Sequence, residues 1–319
     1  MVNKNIYISS CCEDGGIYQY NFCDGILKQK NITRLDRPMY AISDGNLLHI
    51  ILRAPYDNSR DSGITTFNIS QDGTLTKTSD TVSTKGEVCC HLCKYEDSIY
   101  AVNYISGSVI KMPDKLVTHI GSSVNSKRQE SAHTHFVSPT PDGKYLCVTD
   151  LGMDKIFIYD KELNSVSTTD TPSGYGPRHL AFSSDGKLCF CVNELNSSVS
   201  VYEYNDGSLE LKSNHSSLPP EYNGENTADA IRCKGEYVYV SNRGHNSIAC
   251  YKINGCSLLI QSISDCQGDS PRDFDIVGNI LICANEGDGS VTVFEIINNT
   301  KLNLIQKLDV KNALCVTIC

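Results

Sequence analysis

One phrase recurs along this chain and limits what it can fold into. A β-branched or aromatic run ends in Asn or a similar residue, a short polar turn follows, and a second run ends in a large apolar residue. It reads YVYVSNRGHNSIACY at 237–251, LICANEGDGSVTVF at 281–294 and CFCVNELNSSVSVY at 189–202. Further copies lie at 146–159 and 99–112, and more degenerate ones at 48–67 and 6–20. The seven closing residues are Tyr20, Phe67, Met112, Tyr159, Tyr202, Tyr251 and Phe294, spaced 47, 45, 47, 43, 49 and 43 residues apart. Seven copies at that period, each with room for about four short strands, predict an all-β, seven-bladed β-propeller. A single four-stranded unit cannot bury both of its faces, so neighbours must stack on it to complete a core.

The unit at 177–216 is the clearest. PRHLAFS is its innermost strand A, LCFCVN its strand B, SVSVYEY its strand C and LELKSNH its strand D. The intervening Asp185-Gly186 and Asp206-Gly207 pairs are hairpin chemistry, because Gly takes the positive φ that such turns demand. The chain starts on a B strand at Asn5–Ser10 with no A strand ahead of it, and ends with the alternating apolar segment NALCVTIC. That segment is expected to supply the missing inner strand of the first blade. Four antiparallel strands per blade then close into a ring without free sheet edges. Residues 1–319 therefore read as one propeller domain, and no stretch sustains a helical apolar stripe.

The formal charge of −9 argues against nucleic acid and anionic membranes as partners. It leaves room for a small anionic ligand, whose binding depends on local charge. No apolar run approaches the roughly 18 residues that span a bilayer, and MVNKNIYISSCC lacks the apolar core of a secretory signal. The chain is thus expected in the cytoplasm, where its sixteen cysteines stay reduced. Most of them fall in strand-like runs and none has zinc spacing, so they read as small buried hydrophobes. No metal or other cofactor is called for, and no oligomeric state follows from the sequence.

Successive strands run antiparallel, so A-strand starts and B–C turns share one face of the disc. Aligned A strands place Met39, Cys90, His135, Arg178, Asp229 and Arg272 at equivalent starts, the charged or titratable ones in four consecutive blades. The B–C turns of those blades add Asp150, Glu194, Arg243 with His245, and Glu286. Together they predict a site on one side of the channel mouth. His133 and His135 share a strand face by period-two alternation. Arg178 and Arg272 each follow a Pro that fixes the chain entering the strand. His91 and His179 fall out of the channel-facing register and are expected to make hydrogen bonds between blades. Asn103, Asn193, Asn242 and Asn285 recur at one repeat position, where turn capping is expected.

These residues stand in segments that resemble the lactonase family of propellers, which includes the bacterial 6-phosphogluconolactonases of the cycloisomerase-2 type. The segments run through the whole chain in order. They are Cys90-His91-Leu92, His133-Thr-His135-Phe-Val, Pro141-Asp-Gly-Lys-Tyr, Asp150-Leu-Gly with Asp154, and Gly176-Pro-Arg-His-Leu-Ala-Phe, then Asn193-Glu-Leu, Leu218-Pro-Pro, Ser241-Asn-Arg-Gly-His-Asn-Ser-Ile and Pro271-Arg-Asp-Phe. The sequence departs from the pattern in the shortened inner turns near 94–98 and 232–236 and in an extended B–C loop at Ala54–Ser62.

The resemblance implies hydrolysis of 6-phosphogluconolactone, a small anionic sugar lactone, to 6-phosphogluconate in the pentose phosphate pathway. A lactone carbonyl needs an activated water, a stabilised oxyanion and a protonated leaving alkoxide. On that reading Glu194 or His135 is the base and Arg178 lies near the carbonyl. Arg243 and Arg272 hold the phosphate, since the planar guanidinium binds two oxygens at once. His133 and His245 orient the substrate, and Asp150 and Asp229 complete the binding set. No Ser-His-Asp arrangement is evident, which favours direct attack by water. Two rivals stay open. A carboxymuconate-type cyclase or lactonase would turn over a dicarboxylate, and a non-catalytic propeller binding protein partners would need exposed aromatic patches, which a chain without Trp is poorly equipped to offer.

Overall fold

The computed structural model describes residues 4–23, 25–53 and 56–319, and within them the recurring apolar runs form twenty-nine strands and one short 3-10 turn. The strands gather in seven antiparallel sheets. Ala313–Ile318 pairs with Lys4–Ser10 and becomes the inner strand of a sheet continued by Gly16–Cys23 and Ile26–Arg34, so the C-terminus closes the ring. This sheet is blade 1. Blades 2 to 7 follow in chain order, with inner strands Pro38–Asp44, Cys89–Tyr95, Thr134–Pro139, Pro177–Phe182, Thr227–Lys234 and Pro271–Val277. Each has four strands in the A-to-D order, and blade 2 gains Val82–Ser83 as a fifth.

The core lies between blades. Cys147 of blade 4 and Cys189 and Cys191 of blade 5 are fully buried in one cluster with Phe136, Leu180 and Tyr202, as small hydrophobes should be. Cys147, Cys189 and Cys191 form no disulfide. The four recurrent asparagines lie fully buried at or next to the ends of their B strands, and each Nδ2 donates to the Ser that opens strand C. The bonds run to Ser108 (3.1 Å), Ser198 (2.9 Å), Ser247 (3.2 Å) and Ser290 (3.1 Å). They brace the mouth-side turn, the capping role expected of them.

In every blade the pairing of strands A and B slips at the start of strand A. One extra residue stands there: Leu314, Cys90, His135, Arg178 and Arg272 in five blades, and one of Met39–Tyr40 or Asp229–Ala230 in the other two. A β-bulge leaves its extra residue out of the ladder and re-aims it. Here the bulge presents the aligned A-strand residues at the channel mouth. It also breaks period-two alternation, bringing the next residue toward the channel.

Tyr40, His91, Phe136 and His179 form this second layer. The His91 ring lies 4.5 Å from Tyr40, 4.3 Å from Phe136 and 5.2 Å from His179. The outward register expected for His91 and His179 is therefore corrected: both imidazoles sit in the channel. His91 Nδ1 does accept from Val137 N of the next blade, at 3.4 Å, whereas both ring nitrogens of His179 are buried without a partner. Burial, reinforced by nearby Arg178 and Arg232, holds both rings well below the ordinary imidazole range, so they are neutral.

Candidate active site

The turn entering blade 5 fixes the central cation of the site. Asp154 accepts from Gly174 N at 2.6 Å, Gly176 N at 2.7 Å and Ser123 Oγ at 2.6 Å. Gly176 has φ +65°, and a Cβ there would meet the Leu195 side chain at 2.6 Å. Only glycine suits that position. Pro177 follows, and the bulge then turns Arg178 inward.

Arg178 is 3% exposed and reaches two carboxylates. Its Nε donates to Glu194 Oε2 at 3.0 Å, and its Nη1 is ion-paired with Asp229. Arg243 bridges the same pair, with Nε 2.5 Å from Asp229 Oδ2 and Nη2 3.3 Å from Glu194 Oε1. Arg128 supplies a third guanidinium, its Nη2 donating to Glu194 Oε1 at 2.6 Å. Beside this group Arg272 Nη1 donates to Glu286 Oε2 at 2.9 Å.

Burial opposes the charge on Glu194, yet Arg243, Arg178 and Arg128 outweigh it and hold the carboxyl well below its usual range. At fully buried Asp229 the balance reverses, and burial raises the carboxyl despite Arg178 and Arg243. Glu194 so clamped is a fixed negative charge and a weak base. His135 differs. Burial, together with Arg178 and Arg272, keeps its imidazole well below the ordinary value, hence neutral, and its Nδ1 has no partner.

At the channel mouth lies a cavity of about 240 Å³. Arg53, Arg128, Arg243, Arg272, Glu194 and His135 form its polar lining, and Met39, Val88, Cys90 and Tyr104 the remainder. That is smaller than the roughly 300–1,000 Å³ of drug-sized pockets. Burial pushes the Cys90 thiol up to about 12, so it is not a thiolate nucleophile. Among the described residues no three His, Cys, Asp or Glu side chains converge as metal ligands would. The arrangement can take a proton on a neutral imidazole and stabilise developing negative charge with guanidiniums.

The lactonase family, described as a 7-bladed β-propeller, matches this sequence over residues 5–318. The chain belongs to the lactonase family. It is 32% identical over 332 residues to an uncharacterized protein of Staphylococcus epidermidis, covering 95% of this chain and 96% of the relative. A solved structure from Lactobacillus plantarum superposes with a TM-score of 0.92 at 26% identity, covering 100% of both chains. A candidate 6-phosphogluconolactonase from Bacteroides fragilis gives 0.89 at 25% identity, covering 99% of this chain and 98% of that one.

In this lactonase-family chain the structure brings together much of the set read from sequence. His135, Glu194, Arg243 and Arg272 line the cavity, with Arg178 and Asp229 directly behind Glu194 and Arg243. Three other residues do not line it. Asp150 is fully buried and accepts from His119 Nδ1 at 2.7 Å, His133 N at 2.8 Å and Met153 N at 3.1 Å. His133 lies flat on Tyr104 at 4.4 Å, its Nδ1 donating to the Tyr104 carbonyl, because the bulge separates it from His135. His245 bonds Ser247 Oγ through Nδ1 at 2.8 Å and meets Tyr222 edge-on.

Sequence reading missed Arg53, Tyr104 and Arg128. Arg128 sits in the connection His119–His133 between blades 3 and 4. The length of that loop was a usable signal, since connections beyond about 12–15 residues tend to carry function. Arg53 directly precedes the extended B–C loop of blade 2, whose first two residues, Ala54 and Pro55, lie outside the described residues.

Proposed function

We propose that this chain hydrolyses 6-phospho-D-glucono-1,5-lactone to 6-phosphogluconate, the lactone step of the pentose phosphate pathway, in the cytoplasm. The observation that carries the reading is a neutral imidazole, His135, lining the same small cavity as a carboxylate clamped by three arginines. His135 takes a proton from water as the water oxygen bonds to the lactone carbon. The carbonyl π pair moves onto its oxygen, where Arg128 and Arg243 stabilise it. Collapse of that intermediate breaks the bond to the ring oxygen, which receives the proton from His135. The Glu194 carboxylate stabilises the transient imidazolium. Of the two bases weighed from sequence, His135 is the better one, because both oxygens of Glu194 are taken by guanidiniums. Arg243, committed to Glu194 and Asp229, serves the carbonyl end, and Arg272 serves the phosphate.

Membership of the lactonase family and the likeness to the Bacteroides fragilis protein support this reading. A carboxymuconate-type lactone is a second reading, favoured by the same excess of arginine over carboxylate at the mouth. Purified protein given both lactones side by side decides between them. Acceleration of the phosphosugar lactone above its spontaneous rate is expected. Turnover of the dicarboxylate alone would transfer the assignment to the second reading.

A further inference from the structure

Five guanidiniums stand at or directly behind the cavity: Arg53, Arg128, Arg178, Arg243 and Arg272. Four of them are tied to three carboxylates, Glu194, Asp229 and Glu286. Arg53 pairs with no carboxylate among the described residues. Five cations against three anions leave a surplus of two positive charges, and Arg53 is the lining arginine whose charge is uncompensated.

Its position is as informative as its charge. Arg53 follows the B strand Leu47–Leu52 of blade 2. In a ring of seven, the point opposite blade 2 falls between blades 5 and 6, which carry Glu194 and Arg243. Arg272 comes from blade 7, and the Cys11 thiol of blade 1, between blades 7 and 2, feels both Arg272 and Arg53. Cys90 on the cavity wall feels both as well. Met39, Val88 and Cys90, from blades 2 and 3, add no charge to Arg53's side of the mouth. A ligand whose reacting carbonyl lies over Glu194 and Arg243 therefore extends its other end toward Arg53.

We propose that Arg53, with Arg272 as its neighbour, anchors a dianionic group at the end of the substrate remote from the lactone carbonyl, and so makes the site select phosphorylated over neutral sugar lactones. This rests on the lactone-hydrolase reading above. A guanidinium suits that task because it offers a phosphate two parallel donors and stays charged at all working pH values. Its exposure makes the selection sensitive to salt, since screening at 0.15 M acts over about 8 Å.

The test uses the full chain and its Arg53→Ala and Arg53→Lys variants with 6-phosphoglucono-δ-lactone and glucono-δ-lactone. Inorganic phosphate binding by calorimetry is a readout independent of turnover. The wild type is expected to favour the phosphorylated lactone in kcat/KM. In Arg53→Ala that preference should fall about 10–100-fold, the range of a lost hydrogen bond to a charged group, through KM rather than kcat. Arg53→Lys should recover part of it, and phosphate binding should weaken in parallel. An unchanged preference ratio in Arg53→Ala, or a wild type that favours the neutral lactone, overturns the proposal. If the wild type turns over neither lactone, the hydrolase reading falls. Phosphate binding then decides the anchor alone: loss in Arg53→Ala upholds it and equal binding refutes it.

Discussion

Glu194 is the residue on which burial and pairing compete most sharply. Its carboxylate has left water, and three guanidiniums replace the lost solvation. Such a cluster is stable as a whole but sensitive to losing one member, because the partner charge is then left buried and uncompensated. Glu194→Gln keeps the shape but leaves the three guanidiniums around it with one carboxylate, Asp229, and Arg178 among them is 3% exposed. Urea unfolding of that variant should show a loss of about 3–5 kcal/mol. A loss below about 1 kcal/mol would mean that the charge on Glu194 contributes little to holding the mouth together. His135 is the counterpart. Burial keeps it neutral and free to accept a proton near pH 7, and the nearby Glu194 carboxylate favours the imidazolium that forms.

At the scale of the element, the repeated bulge and the repeated Asn–Ser brace position the site. Asn285 Nδ2 donates to Ser290 Oγ at 3.1 Å and Thr292 Oγ1 at 3.2 Å with the whole side chain buried. Asn285→Ala removes both bonds, although Ser290 Oγ still donates to Asp288 and Thr292 Oγ1 to the Cys266 carbonyl, and a loss of about 1–3 kcal/mol in chemical denaturation is expected. An unchanged midpoint would assign the brace no energetic role. The strands and their closure were legible in sequence because apolar alternation and Asp-Gly turns are local signals, as in 177–216 and NALCVTIC. The A-strand starts were legible too, by alignment of the repeats. The bulge was not, because it is a matter of register between two strands. A one-residue slip sent His91 and His179 into the channel and separated His133 from His135. Arg128 and Arg53 lie outside the repeated phrase, one in an interblade connection and the other at the edge of an irregular loop, where repeat alignment has nothing to compare.

For the molecule as a whole, the buried imidazoles of His91, His135 and His179 tie stability to pH. Each has a folded-state value depressed by burial below the ordinary 6.5. Above that value both folded and unfolded chains hold them neutral, and stability is complete. Below it the unfolded chain binds protons that the folded one refuses, so stability falls by about 1.4 kcal/mol per pH unit for each group. Glu194, also depressed, contributes only below its ordinary 4.5. The urea midpoint should therefore drop between pH 7 and pH 5, and less steeply in His179→Phe. A midpoint independent of pH over that range would mean that these rings titrate normally in the folded ring. The ring exists, on the reading given above, to hold one neutral imidazole beside one clamped carboxylate over a lactone carbonyl. The most direct measurement is the initial rate of 6-phosphoglucono-δ-lactone disappearance above the spontaneous rate, for the wild type and a folded His135→Gln variant in parallel. Strong acceleration by the wild type, reduced about 10²–10⁴-fold in the variant, is the expected result. Equal rates in the two proteins, or no acceleration by either, would contradict it.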